Sequence, residues 1–164
     1  MKSVGWTAFL VLWVLLMLPQ SWAQLGSSIK TSDDIAVAVN SQNPISEMSL
    51  ADLRKILLGE RRFWKGNVLI TLVLRQSGTR ERDVLLNQSL KMNDVQFTEH
   101  WHDKVFRGEA PSEPLAVPSN GMASEYVADT QGAIAFIAAK NLRSDLKVLK
   151  IEGKLPGEQG YPLR

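Results

Sequence analysis

The chain has 164 residues, no cysteine, and 19 basic against 17 acidic side chains, a net charge of +2. The missing thiol excludes disulfides, a thiolate nucleophile and Cys-ligated zinc, and the near balance of charge leaves no footing for a polyanion such as nucleic acid. Apolar residues make up 45%, enough for one ordinary domain to bury a real core.

Residues 1–23 read as an export signal. Lys2 supplies a positive start, residues 6–18 an apolar block, Pro19 a break, and Ser21-Trp22-Ala23 the small residues of a peptidase site. The expected cut falls between Ala23 and Gln24. An uncleaved anchor is the competing reading, but the block is short for a span of about 20 residues. Residues 24–33 are small and polar and are expected as a flexible leader. Residues 34–164 form the expected domain, exported to the periplasm and off the membrane once the signal is cut.

Within that domain, residues 34–39 (DIAVAV) predict a buried strand and residues 40–44 a turn. Ser49 followed by Asp52 is a capping pair, and Leu50, Leu53, Ile56 and Leu57 recur at helical spacing until Gly59. Residues 63–67 make a turn with two aromatics, and residues 68–74 a strand. Residues 79–91 predict a second helix buried through Val84, Leu85 and Leu90. Asn93 with Gln96 caps a third, running through Trp101 and Val105 to Phe106. Residues 115–117 are a short strand, and Ser119 or Asn120 caps a helix through Tyr126 and Val127. Gly132 then turns into a strand at 133–138, and residues 146–151 form the last. Strands alternating with helices predict an α/β domain with a mixed or mostly parallel sheet.

The stretch LITLVLRQSGTRERD, residues 69–83, carries the main functional signal. An apolar run ends at Arg75, a polar turn follows, and Arg80 opens a helix. The first amides of a helix lack intrahelical acceptors and carry the positive end of its dipole, so such a junction cradles anions. Ser77 and Thr79 add hydroxyls, Gly78 lets the backbone turn, and Arg75 and Arg80 add charged forks. Around it, Arg54, Lys55, Arg61, Arg62, Lys65, Arg75, Arg80 and Arg82 meet only Glu60 and Glu81. That local field favours small anions. The same letters also describe a plain strand–turn–helix with a Ser or Thr cap.

Other constellations are weaker. No Walker loop is present, which argues against a nucleotide triphosphatase. His100 and His102 stand two apart on a predicted helix and face different ways, unlike an i,i+4 metal pair. Ser77 lacks the G-x-S-x-G elbow of a hydrolase. Trp64, Trp101 and Phe106 are expected in the core rather than stacked on a ligand. Neither a catalytic residue nor a cofactor is expected.

Several segments together resemble phosphate-type substrate-binding proteins of ABC transporters. IAVAVNSQNPISEMSLADLRKILLGERRFWKG is similar to that family's "VN..NP" and "LS...L..I(F/L)LG....W..G" segment, and LVLRQSGTRERD to its "R..GSGTR..F" phosphate loop. FRGEAPSEP, VADTQGAIAFI and LKVLKIEG resemble "F.G...PP", "V...PGAIGYV" and "VK.L.I.G" in the same order. The resemblance implies one lobe of a type II periplasmic-binding-protein fold and a non-catalytic, transport-related protein. By position Arg75, Ser77, Gly78, Thr79 and Arg80 would bind phosphate or a similar oxyanion. Arg75 stands closer to Ser77 than the family's arginine does. The expected length is one lobe, where relatives close two on the ligand, so weak binding is expected. The alternative expectation is an envelope interaction or scaffold module, with a partner protein or a second copy on the face that relatives cover.

Overall fold

The computed structural model describes residues 32–164; the expected signal peptide and most of the expected leader lie outside the described residues. The elements in order are β1 (Ile35–Val39), β2 (Glu47–Met48), α1 (Leu50–Leu57), β3 (Thr71–Arg75), α2 (Arg80–Leu90), α3 (Asp94–Phe106), β4 (Leu115–Val117), α4 (Asn120–Asp129), β5 (Ala133–Ala138), β6 (Lys147–Val148) and β7 (Lys150–Ile151). The main sheet runs β4-β3-β5-β1-β6. β3 is parallel to β4 and β5, while β1 runs antiparallel to β5 and β6, so the sheet is mixed as expected. No helix among the described residues is long and apolar enough to cross a membrane.

Alternation of bulk along the strands decides how the layers stack. Ile35, Val37 and Val39 of β1, Leu72 and Leu74 of β3, and Ile134 and Phe136 of β5 point to one face. There they meet Leu53, Ile56 and Leu57 of α1, Leu85 and Leu86 of α2, and Phe97 and Trp101 of α3. The alternate positions are smaller: Ala38, Val73, Ala133, Ala135 and Ile137 face Ala123 and Val127 of α4. Bulky positions accommodate three helices, and small ones let a single helix sit close. All five residues of β1 are fully buried, which is why that strand reads as an unbroken apolar run.

Caps appear where the sequence puts them. The Ser49 and Ser119 side chains accept from the Asp52 and Met122 amides, and Asn93 with Gln96 completes a reciprocal capping box. Gly59 turns the chain at φ +68° against the Trp101 indole, where a β-carbon would come within 2.8 Å of the ring.

Three expectations are corrected. The predicted strand over 68–74 is Thr71–Arg75; residues 68–70 instead fold back on 62–64, with Trp64 N donating to Val68 O (2.8 Å) and Ile70 N to Arg62 O (2.8 Å). The last strand is two: Lys147–Val148 extends the main sheet, and Lys150–Ile151 pairs in parallel with Glu47–Met48, a strand too short to announce itself. In α2 the fully buried apolar pair is Leu85 and Leu86, with Val84 and Leu90 at the margin.

The final segment closes on β1. Ile35 N donates to Leu163 O (2.8 Å), the Tyr161 hydroxyl donates to Ile35 O (2.8 Å), and Tyr161 and Leu163 are buried.

Candidate functional site

Neighbouring strands β3 and β4 send their chains to opposite faces, β3 into α2 and β4 into α4. Divergent connections of this kind open a crevice beyond the carboxyl ends of parallel strands, where ligands of open sheets bind. The stretch from Arg75 to Arg80 lies at that crevice.

Local chemistry shapes the loop. Gly78 takes φ +76°, a left-handed conformation with open space around its α-carbon. Thr79 is the cap residue of α2 by its extended backbone (φ −93°, ψ 143°), but its hydroxyl donates back to Gln76 O (2.7 Å). The Thr79 amide donates to the same carbonyl at 3.3 Å. That hydroxyl therefore braces the turn and does not cap the helix. Of the four α-helices among the described residues, α2 is the one whose cap side chain accepts nothing, so its first amides keep their hydrogen-bonding capacity. Ser77 is exposed.

The two arginines reach in different directions. Arg75 Nη1 donates to Val117 O at the end of β4 (3.2 Å), laying the guanidinium across the crevice. Its buried Nε has no partner among the described residues. Arg80 is exposed and donates through Nη1 to Asp33 O (2.6 Å). The five predicted residues thus lie along one strand–turn–helix junction, from the last residue of β3 to the first of α2, with the Thr79 hydroxyl turned inward and Arg80 leaning toward the segment before β1.

Three residues outside that prediction complete the surroundings. Arg82 is buried beneath the loop: its Nε pairs with Asp94 Oδ1, its Nη1 donates to Arg75 O (3.3 Å), and its guanidinium lies 5.5 Å from the Phe97 ring centroid. Asn120, in the first turn of α4, donates through Nδ2 to Glu81 Oε1 (2.7 Å). Burial alone would raise the Glu81 carboxyl. The Asn120 amide, the residue's own backbone N–H and the charges of Arg75 and Arg80 outweigh burial and hold it below its ordinary value of 4.5. The sequence offers Asn120 only as an alternative to Ser119 for the cap; its pairing with Glu81 has no local spacing, because it spans the chain from α2 to α4.

The remaining expectations resolve as follows. His100 Nε2 contacts Leu58 O (3.1 Å) and His102 Nε2 contacts Glu113 Oε1 (2.8 Å), on separate elements. Trp64 and Trp101 are core residues, their indole N–H groups donating to Gly132 O and Leu57 O. Phe106 is not: it is 92% exposed, since it ends α3 where no further element among the described residues packs over it. A hollow of about 180 Å³ lies beside Ser77, lined also by Arg82, Thr98 and Glu113. A larger one, about 700 Å³, is walled by Ile56, Ile70, Leu72, Trp101, Leu115 and Tyr126.

No known family model matches the chain. It is 28% identical over 127 residues to the phosphate-binding protein PstS of Bacillus subtilis, a match covering 74% of this chain and 37% of that protein. Among solved structures it is similar to an ABC-type phosphate transport receptor from Vibrio cholerae, with TM-score 0.60 and 20% identity over 76% of this chain and 48% of the receptor. It is also similar to PstS from Borrelia burgdorferi, with TM-score 0.63 and 19% identity over 80% of this chain and 54% of that one. The chain spans less than two fifths of the curated relative and about half of each solved structure. It therefore resembles phosphate-type substrate-binding proteins of ABC transporters in sequence, and residues 32–164 have the α/β fold of such proteins over part of their length.

Proposed function

We propose that this protein is an exported, non-catalytic binding protein of the periplasm whose ligand is phosphate or a similar small oxyanion. The anion is held by the amides of Gly78 and Arg80 and by the side chains of Ser77, Arg75 and Arg80, with Thr79 bracing the turn that presents them. The observation that carries the reading is the N-terminus of α2. It has no side-chain cap, begins after a left-handed Gly78, and stands at the carboxyl end of β3 with Arg75 laid across the crevice. The names of the similar proteins point to the same ligand. The described lobe by itself leaves a bound anion partly in water, where donors compete poorly, so the affinity of this lobe alone is weak. Calorimetry and melting curves in 10 mM phosphate or sulfate test this. Wild type is expected to release or absorb heat and to melt higher. Arg80→Ala removes a charge-assisted donor and is expected to weaken phosphate about tenfold; Thr79→Ala loosens the braced turn and weakens it less. Silence in both assays at that concentration would end the anion reading.

A second reading has its own observation. Leu69, Leu115 and Tyr126 are exposed around the 700 Å³ hollow, and contiguous apolar surface of this kind marks contact sites. On that reading the domain is an envelope interaction module. Leu115→Glu is expected to abolish capture of its partner from envelope extract while leaving phosphate binding intact. Undiminished capture would remove this face from consideration.

A further inference from the structure

At the cradle the chain supplies an anion of its own. We propose that Glu81 is the resident counter-anion of the α2 cradle, a tethered carboxylate that competes with the incoming oxyanion and sets its affinity. The inference rests on the anion-binding reading above and deepens it.

Geometry fixes the carboxylate in place. Glu81 is the second residue of α2, directly after Arg80, in the turn whose amides lack a cap. A long carboxylate at this position ordinarily extends into solvent and acts on the helix dipole alone. Here Asn120 holds Oε1 at 2.7 Å, so the side chain bridges the first turns of α2 and α4. Asn120 Nδ2 also lies 3.3 Å from Asn141 Oδ1, in the turn that follows β5. The starts of α2 and α4 thus meet at one carboxylate, and Asn141 backs the Asn120 amide that holds it. Arg75 crosses from β3 to Val117 at the same edge.

The electrostatics agree with that placement. The charges of Arg75 and Arg80 both act on Glu81, together with its own backbone N–H. The two arginines are among the groups assigned to the oxyanion. With the carboxylate ionised, part of the field of the two arginines is already met before any ligand arrives. A second anion entering the same turn meets a like charge that cannot diffuse away, because it is covalently attached and held by Asn120. Repulsion of this kind acts on net charge and not on ligand shape, so phosphate and sulfate are affected alike.

Neutralising the carboxylate tests the idea with the fold preserved, since glutamine keeps the oxygen that accepts from Asn120. Glu81→Gln is expected to bind phosphate about tenfold more tightly than wild type by calorimetry at low salt, with a similar gain for sulfate. The gain shrinks as salt screens the site. Glu125→Gln removes an equal charge from the exposed side of α4 and is expected to change neither affinity. If wild type binds and Glu81→Gln binds no more tightly, the inference falls while the anion reading stands. Equal gains in Glu81→Gln and Glu125→Gln assign the effect to bulk charge and overturn it. If neither wild type nor Glu81→Gln binds any oxyanion, both readings fall together.

Discussion

Gly132→Ala is expected to lower the melting temperature on the order of 10 °C, from a loss of about 3 kcal/mol. A β-carbon at residue 132 would stand 2.0 Å from Leu69 O and 3.2 Å from Val68 Cγ1. The first of these is backbone, so no side-chain rotation relieves it. The segment that must retreat is the fold-back of residues 68–70 onto 62–64. Gly132 O also accepts from Thr71 N (3.0 Å) and from Trp64 Nε1 (2.9 Å), which ties the start of β3 and the buried indole to the same point. One methyl group therefore pushes on the entry to β3, on Trp64 and on the β3–β5 pairing together. Thermal denaturation followed by far-UV circular dichroism measures the effect. A shift under 2 °C would mean that the close approach of residues 69 and 132 is absent in solution.

Arg82→Met is expected to cost about 3 kcal/mol. Arg82 is 9% exposed at its side chain and Asp94 27%, so the pair is largely, though not fully, removed from water. Removing the guanidinium strands a carboxylate, leaves Arg75 O without its 3.3 Å donor, and takes a cation from the face of Phe97. Part of the cost is offset because Asp94 lies in the first turn of α3, where the helix dipole favours negative charge. Asp94→Asn alone is expected to lose less, and the double variant less than the sum of the two. Urea unfolding of the four proteins gives the coupling directly. Additive losses would show that the pair carries no interaction energy. Because Arg82 grips the carbonyl of Arg75, its removal is also expected to loosen the cradle above it.

Much of the scaffold is legible in the letters, for physical reasons that differ by element. β1 and β5 are buried on both faces, and such strands must be continuous apolar runs between turn residues. α1, α3 and α4 declare their starts through Ser49, Asn93 and Ser119, because orphan amides demand local acceptors. Residues 68–74 mislead because an apolar run carries no mark of where pairing with one partner gives way to pairing with another. Residues 146–151 do so likewise, since Leu149 changes sheets without changing character. At the site, the position of the loop follows from strand, turn and helix signals in series. The directions of its side chains do not. Thr79 could cap or brace with equal chemistry, and bracing prevails because Gln76 O lies within 2.7 Å. Glu81 and Asn120 meet across 39 residues, and Arg82 finds Asp94 across a helix boundary. Neither meeting has a local spacing to betray it. Phe106 shows the same limit from the other side: helical periodicity puts it near Trp101, but only the layout of neighbouring elements decides that none of the described residues covers it.

The position of β1 has a consequence for how the chain reaches its shape. It is the first strand of the sheet, yet it sits between β5 and β6, and its opening residue is fastened by Tyr161 and Leu163. The contact of Tyr161 with Ile35 spans 126 residues. Loop closure over such distances must come before the reward of pairing, so topologies of this kind assemble slowly. Until residues 133–163 are in place, IAVAV is an apolar β-branched segment with two unpaired edges, the composition that drives strand-to-strand association between chains. The same buried centre that makes the finished sheet stable leaves the growing polypeptide dependent on staying unfolded, or shielded, until its last residues arrive.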